Sequence, residues 1–242
     1  MAHFYLSDEL ETAAVGDRVA IGGAEARHAV TVSRLAVGET VAIGNGSGLV
    51  VSGPVVTAEH AELAITVESV EESPRRTPAV FLAQALAKND RDELAVQAAT
   101  ELGVDGVIPW TAARSISRWE GAKVAKGRDR WSAVVREASK QSLRAWVPDV
   151  LDLVTTKQLA RLAEGARMLV LEPTAQHTLA ELELGDDDLI VVVGPEGGVS
   201  PQELESLAAA GASLVRLGDE VLRTSTAGPA ALAVLNVKLG RW

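Results

Sequence analysis

The chain has 242 residues, 47% apolar and 23% charged, the profile of an ordinary soluble globular protein with room for one large or two modest domains. It contains no cysteine, which excludes disulfides, thiolate metal sites, iron–sulfur clusters and a thiolate nucleophile; the four scattered histidines (His3, His28, His60, His177) lack ligand spacing, so no metal is expected. The net charge of −10 conceals an asymmetry, with −8 over residues 1–74, +5 over 75–148 and −7 over 149–242.

The leading segment MAHFYLSDEL has no basic stretch followed by an apolar run and does not read as a signal peptide. No apolar run approaches the ~18 residues of a membrane span, and a cytoplasmic location is expected. The first seventy residues are β-rich: VAIGG, ETVAIGNGSGLVVSGPVV and AELAITVESV are short β-branched runs broken by Gly, Asn and Pro. Asn45-Gly46 between two such runs predicts a type I′ hairpin, and Ala24–Leu35 predicts a short helix. The polar, twice-proline stretch from Ser73 to Pro78 marks a domain boundary.

Beyond it, strands and helices alternate. Ala79–Ala83 reads as a strand, and Asp90–Leu102 as a helix with Leu94, Ala98 and Leu102 on its inner face. Gly106–Trp110 is strand-like, and Arg128–Leu143 is a helix burying Trp131, Val134, Val135 and Ala138. Strands at Arg167–Leu171, Leu189–Val193 and Leu214–Leu217 and helices at Ser200–Ala210 and Thr226–Leu239 complete the pattern. Uniformly apolar runs such as LIVVV are what strands covered on both faces look like, so the second part is an α/β domain with a mostly parallel sheet.

Two segments carry chemistry. In DLIVVVGPEGGVSPQEL a buried strand ends in Gly194-Pro195-Glu196-Gly197-Gly198, and a helix then starts with Ser200 as N-cap, Pro201 at its first position and Glu203 closing a capping box. Such a turn at the carboxyl end of a parallel strand is either a ligand loop or a plain tight turn. It matches neither GxGxxG nor GxxxxGK[ST], so a nucleotide-cofactor oxidoreductase is disfavoured. In LGDEVLRTSTAGPAALAVLNVKLGRW a strand ends at Leu217-Gly218, and Leu222-Arg223-Thr224 leads into an Ala-rich helix. Arg223 beside a helix N-terminus is unfavourably placed for a cation unless it serves a ligand or a surface ion pair. The stretch Arg114–Arg144 holds nine basic residues against Glu120, Asp129 and Glu137, which is either a solvated helix face or a surface for nucleic acid.

GPEGG followed by LGxxxLRTxTA resembles the SPOUT class of methyltransferases, specifically the bacterial 16S ribosomal RNA uridine-N3 methyltransferases. Four other elements carry the same resemblance over nearly the whole chain: His28 to Leu35 with Gly38-Glu39; Lys88, Arg91 and Glu101-Leu102-Gly103-Val104; Arg114-Ser115; and Arg136 through Ser142 with Arg144 and Pro148. Two positions depart from it. Acidic Asp219-Glu220 stands where the family carries an arginine, and Ser225 replaces the middle residue of the usual Thr-Glu-Thr, so no carboxylate role is carried over to position 225.

The resemblance implies an N-terminal PUA-like β-barrel that binds RNA (1–73), then a SPOUT α/β domain with a C-terminal trefoil knot (74–242) that holds S-adenosyl-L-methionine and pairs as a homodimer. It implies cofactor contacts at Leu171, Glu172 and Pro173, at Gly194, Pro195, Glu196, Gly197 and Gly198, and at Leu217, Gly218, Leu222, Arg223, Thr224, Thr226 and Ala227. It implies ribosomal RNA or the small subunit as partner, with His28, Arg34, Lys88, Arg91, Arg114, Arg136, Lys140, Gln141 and Arg144 as the RNA-binding candidates, to which the basic segment adds Lys126 and Arg128. Arg223 is the candidate for stabilising the uridine anion, and Glu196 either accepts its proton or braces the loop. The absence of cysteine bears on the chemistry, because C5 methylation of uracil needs a thiolate or a cysteine-bound cluster, whereas N3 methylation needs only an oriented, unpaired base. The competing readings are a ribose 2′-O methyltransferase, whose NxGxxxR element is missing here, and a non-enzymatic RNA-binding protein.

Overall fold

The computed structural model describes residues 3–242; Met1 and Ala2, included in the predicted first domain, lie outside the described residues. Two compact units are formed. One comprises the chain up to Arg75 together with Ser139–Val147, and the other comprises Arg76–Ala138 with Pro148–Trp242.

In the first unit, β1 (His3–Leu6) pairs in parallel with β3 (Thr40–Gly44), while β2 (Arg18–Gly22), β4 (Leu49–Glu59), β5 (Glu62–Thr66) and β6 (Ser69–Glu72) pair antiparallel, giving a mixed sheet in the order β1-β3-β4-β5-β2 with β6 beside β4. Strand β4 serves β3 and β6 with its first half and β5 with its second, and the register shifts between Val55 and Thr57. Alternation along these strands turns Ile43, Val51, Val55, Leu63 and Ile65 into one buried core. The expected helix after β2 is a short α1 (Gly23–Arg27) continued by a π-helical turn, His28–Val32.

The β3–β4 hairpin forms, but not through a type I′ turn. Residues 45–48 make a longer loop with left-handed glycines at 46 and 48 (φ 71° and 102°), and Asn45 Oδ1 accepts hydrogen bonds from the Ser47 and Leu49 amides at 2.7 and 3.1 Å. An asparagine that turns the chain through its own side chain keeps an ordinary φ, which the Asn-Gly pair alone does not disclose. The 139–147 segment joins this unit by backbone bonds, Gly48 N–H to Ala145 O and Val147 N–H to Gly46 O, and by the Trp146 indole to Ser73 O at 2.7 Å.

The second unit contains an all-parallel sheet. It is built from β7 (Val80–Ala85), β8 (Gly106–Thr111), β9 (Asp149–Val150), β10 (Val154–Thr155), β11 (Arg167–Leu171), β12 (Leu189–Val193) and β13 (Ser213–Val215) in the order β10-β8-β7-β12-β11-β13, with β9 also on β8. Helices α4 (Thr156–Leu162) and α5 (Pro201–Ala209) pack Leu159 and Leu207 against one side, over Ala83, Ile108, Trp110, Val170 and Val192. Helices α2 (Arg91–Glu101) and α6 (Thr224–Lys238) cover the alternate side chains; a Cβ at Gly228 of α6 would stand 2.9 Å from Leu82, so only glycine lets α6 lie this close to β7. Helix α3 (Ala122–Gln141) buries Trp131, Val135 and Ala138 as the periodicity predicts, with Val134 half-buried.

On α2 the predicted inner face holds only in part, with Ala98 and Leu102 half-buried. Leu94 is 55% exposed, and Ala95, Val96, Ala99 and Thr100 point inward. The main partner of α2 is α6, with β7 as its second, and small side chains with Asn236 bonding Leu102 O at 2.7 Å let the two helices approach.

Candidate active site

Because every strand of the second unit runs in the same direction, the carboxyl ends of β7, β11, β12 and β13 lie on one edge, where open α/β sheets bind ligands. The loops leaving those ends enclose a cavity of about 520 Å³, within the size range of about 300–1,000 Å³ typical of small-molecule sites. Leu171, Glu172 and Pro173 line it after β11, Val193 to Val199 after β12, and Val215 through Thr224 (Asp219 excepted) with Ala227 after β13.

Of the residues expected to contact a cofactor, all but Thr226 line this cavity. Thr226 is exposed and spends its amide on Arg223 O at 2.8 Å, inside the first turn of α6. The wall also includes Arg91, Arg216, Glu220 and Val221, which sequence reasoning did not place there as ligand residues. Along Leu217, Gly218, Val221 and Leu222 neither N–H nor C=O is engaged within the described residues. Unengaged backbone groups around a cavity are ready partners for a ligand with its own donors and acceptors.

Several contacts hold the loops in place. Buried Gln84 at the end of β7 donates through Nε2 to Thr224 Oγ1 at 2.9 Å, and Thr224 Oγ1 donates to Gly194 O at 2.8 Å, joining β7, α6 and the β12 loop. A glutamine inside the apolar run AVFLAQALA is the one sequence signal for this residue. Glu196 Oε1 accepts the Lys88 amide at 3.0 Å and lies 3.7 Å from Arg91 Nη1, so this carboxylate braces the 194–198 loop against the segment before α2. Arg114 donates through Nη1 to Gly197 O at 2.9 Å.

Behind the loops, Ser200 caps α5 with the predicted capping box. The Glu203 carboxylate goes further: Oε1 accepts the Ala113 amide at 2.8 Å and the Thr156 hydroxyl at 2.7 Å, and Oε2 accepts the Ser200 amide and hydroxyl at 3.1 and 2.8 Å. Burial pushes its pKa up, but the hydrogen bonds from Thr156, Ala113 and Ser200 outweigh this and hold it below the ordinary carboxylate value.

Arg223, at the N-cap of α6, is exposed in the cavity wall and makes no side-chain hydrogen bond or ion pair among the described residues. The candidate RNA contacts divide between the units. Lys88, Arg91, Arg114, Lys126, Arg128 and Arg136 belong to the second, and His28, Arg34, Lys140, Gln141 and Arg144 to the first. Lys126 is exposed, Arg128 pairs with Asp152, and Lys140 is committed to Glu25 at 3.0 Å with its side chain only 10% exposed.

Comparison with known proteins gives concordant results. Residues 74–236 match the family model described as an RNA methyltransferase domain. The chain is 41% identical to the ribosomal RNA small subunit methyltransferase E of Mycobacterium bovis over 245 aligned residues, covering 99% of this chain and 92% of that protein. It is 29% identical to the protein of that name from Bacillus subtilis, over 89% and 88% of the two chains. Among solved structures, the Neisseria gonorrhoeae ribosomal RNA small subunit methyltransferase E bound to S-adenosyl methionine superposes with a TM-score of 0.88 at 26% identity, covering 98% of each chain. No described helix is long and apolar enough to cross a membrane.

Proposed function

This chain belongs to the family of ribosomal RNA small subunit methyltransferases E, and from that membership we propose that it uses S-adenosyl-L-methionine to methylate N3 of a specific uridine in 16S ribosomal RNA, on the assembled small subunit in the cytoplasm. The observation that carries the reading is the cavity at the carboxyl ends of β11, β12 and β13, with its mixed apolar and charged lining and unengaged backbone groups at Leu217, Gly218, Val221 and Leu222. Those features fit an adenosine ligand: Val193, Val199 and Leu222 offer surface to a flat apolar ring, and the free amides and carbonyls match its nitrogens and hydroxyls. The cofactor supplies an electrophilic methyl on a sulfonium.

The chain's own residues do the rest. Methyl transfer to N3 requires the imide proton to leave, and Arg223, a cation at the cavity wall with no side-chain partner among the described residues, stabilises the anion as it forms. Glu196 takes the bracing role, since its Oε1 accepts the Lys88 amide at 3.0 Å and lies 3.7 Å from Arg91 Nη1. With no thiolate available to add to C6, N3 fits the chain's chemistry and C5 does not.

The same reading includes a first unit that closes as a PUA-like RNA-binding barrel, a homodimer, and a trefoil knot in the second unit. The knot is supported by the path after β13, where the chain leaves the sheet edge and returns so that α6 packs on α2, β7 and β12. Calorimetry with S-adenosylmethionine tests the cofactor site, and mass mapping of methylated nucleosides in ribosomal RNA from cells with and without the protein tests the target. Absence of a 3-methyluridine difference would overturn the N3 assignment.

A further inference from the structure

Three cations, Arg91, Arg216 and Arg223, and three carboxylates, Glu172, Glu196 and Glu220, line the cavity. Most are accounted for within the protein. Glu196 lies beside Arg91, Arg216 donates to Asp219 just outside the lining at 2.9 Å, and Glu172 Oε1 accepts the Thr174 amide and hydroxyl. With Asp219 absorbing Arg216, the wall carries one negative charge in excess. Two groups remain without an ion-pair or hydrogen-bond partner among the described residues, the Arg223 guanidinium and the Glu220 carboxylate. Glu220 is an exposed member of the lining, and a Cβ on Gly218, which also lines the cavity, would stand 3.5 Å from its Oε2.

We propose that Glu220 is a charge-selecting residue, one that makes this site prefer the cationic sulfonium cofactor to the neutral thioether left after methyl transfer. The inference rests on the cofactor reading above. In the transfer the carbon–sulfur bond to the methyl breaks, its electron pair stays on sulfur, the methyl bonds to the acceptor and the acceptor's proton leaves. The cofactor therefore enters with a net charge of +1 and its product departs with zero, differing by a single methyl group in shape. A wall that reads shape discriminates weakly between the two, whereas an excess carboxylate discriminates by charge. A cavity of about 520 Å³ is comparable in width to the Debye length of about 8–10 Å at physiological salt. The Glu220 charge is accordingly felt across it, and a Coulomb term at that range, between the limits of water and protein surface, corresponds to roughly five-fold in affinity. Arg223, three residues further along the same loop, opposes this preference, but its charge answers to the acceptor's anion, so the two groups divide the ligands by sign.

The test is the ratio of dissociation constants for S-adenosylhomocysteine and S-adenosylmethionine, measured by calorimetry on the full chain as wild type, Glu220→Gln and Glu220→Arg. The expected result is a ratio lowered about five-fold in Glu220→Gln and lowered further in Glu220→Arg, with S-adenosylhomocysteine affinity little changed. In the wild type the ratio should also fall as salt rises. A ratio that is the same in all three proteins, or an equal loss of both affinities in folded Glu220→Gln, overturns the proposal. Failure of wild type to bind either nucleoside would instead overturn the cofactor reading on which it rests.

Discussion

Replacing Glu203 by Gln should destabilise the second unit in a pH-dependent way. The carboxylate accepts four hydrogen bonds while only 7% exposed, two on each oxygen. An amide keeps one acceptor oxygen but turns the other into an NH2 group facing two donors. Hydrogen bonds to a charged group are worth about 1.5–3 kcal/mol each, so losing one pair costs about 3–6 kcal/mol at neutral pH. For a folding unit of roughly 150–250 residues that is a fall in Tm of about 6–24 °C. The folded-state pKa of Glu203 is depressed, so its stabilisation is fully present above the unfolded value of about 4.3 and is lost as pH falls through the lower folded value. Differential scanning calorimetry at pH 7 and at steps well below the unfolded value of about 4.3 should show a large gap between wild type and variant at neutral pH that narrows as the folded-state pKa is approached. A gap within about 0.5 kcal/mol at pH 7, the size of an ordinary surface substitution, would refute the reasoning, as would a gap that does not change with pH. Because Glu203 also holds the Ala113 amide, one residue before Arg114, cofactor affinity should weaken in the same variant.

Further outcomes are expected at the cavity. A Cβ at Gly197 would stand 3.2 Å from the Arg114 side chain, so the branched side chain of Gly197→Val should dislodge Arg114 and the loop and cost about 1–3 kcal/mol in S-adenosylmethionine binding by calorimetry. Arg223→Ala should lower single-turnover methylation by roughly 10²–10³ while leaving cofactor affinity nearly intact; normal turnover would make Arg223 structural. Lys126→Ala with Arg128→Ala should flatten the log–log salt dependence of RNA affinity by about 1.4 if both touch phosphate, at about 0.7 per contact. Lys140→Ala should instead cost about 3 kcal/mol of stability, visible as a lower Tm, because it strands the partly buried Glu25 carboxylate.

Much of the second unit is legible in the sequence because its signals are local. LIVVV announces a strand covered on both faces, and Ser200 with Glu203 announces the start of α5. The two cavity loops are legible for the same reason, as glycine-rich or hydroxyl-rich turns that follow strands. Illegible are the bonds that cross the chain. Glu203 reads as an N-terminal cap, yet its other bonds reach Ala113 and Thr156, 90 and 47 residues away. Gln84 acts on Thr224 across 140 residues. Lys140 looks like one more member of a basic run until Glu25, 115 residues upstream, is seen beside it. Leu94 illustrates a different limit, since periodicity identifies an apolar stripe but not whether the facing partner leaves room for it.

The return of residues 139–147 to the first unit bears on how the protein is made. During vectorial synthesis the N-terminal sheet is complete by Glu72, yet the Gly46 and Gly48 backbone groups find their partners only once Ala145 and Val147 have left the exit tunnel. Domains ordinarily fold as units in the order they emerge, at about 5–20 residues per second. Here the first unit must wait several seconds for its closing segment while a large part of the second is already outside. A gene fragment ending at the apparent boundary near Arg75 would therefore encode an unfinished unit, with its hairpin loop bare and the Ser73 carbonyl deprived of Trp146.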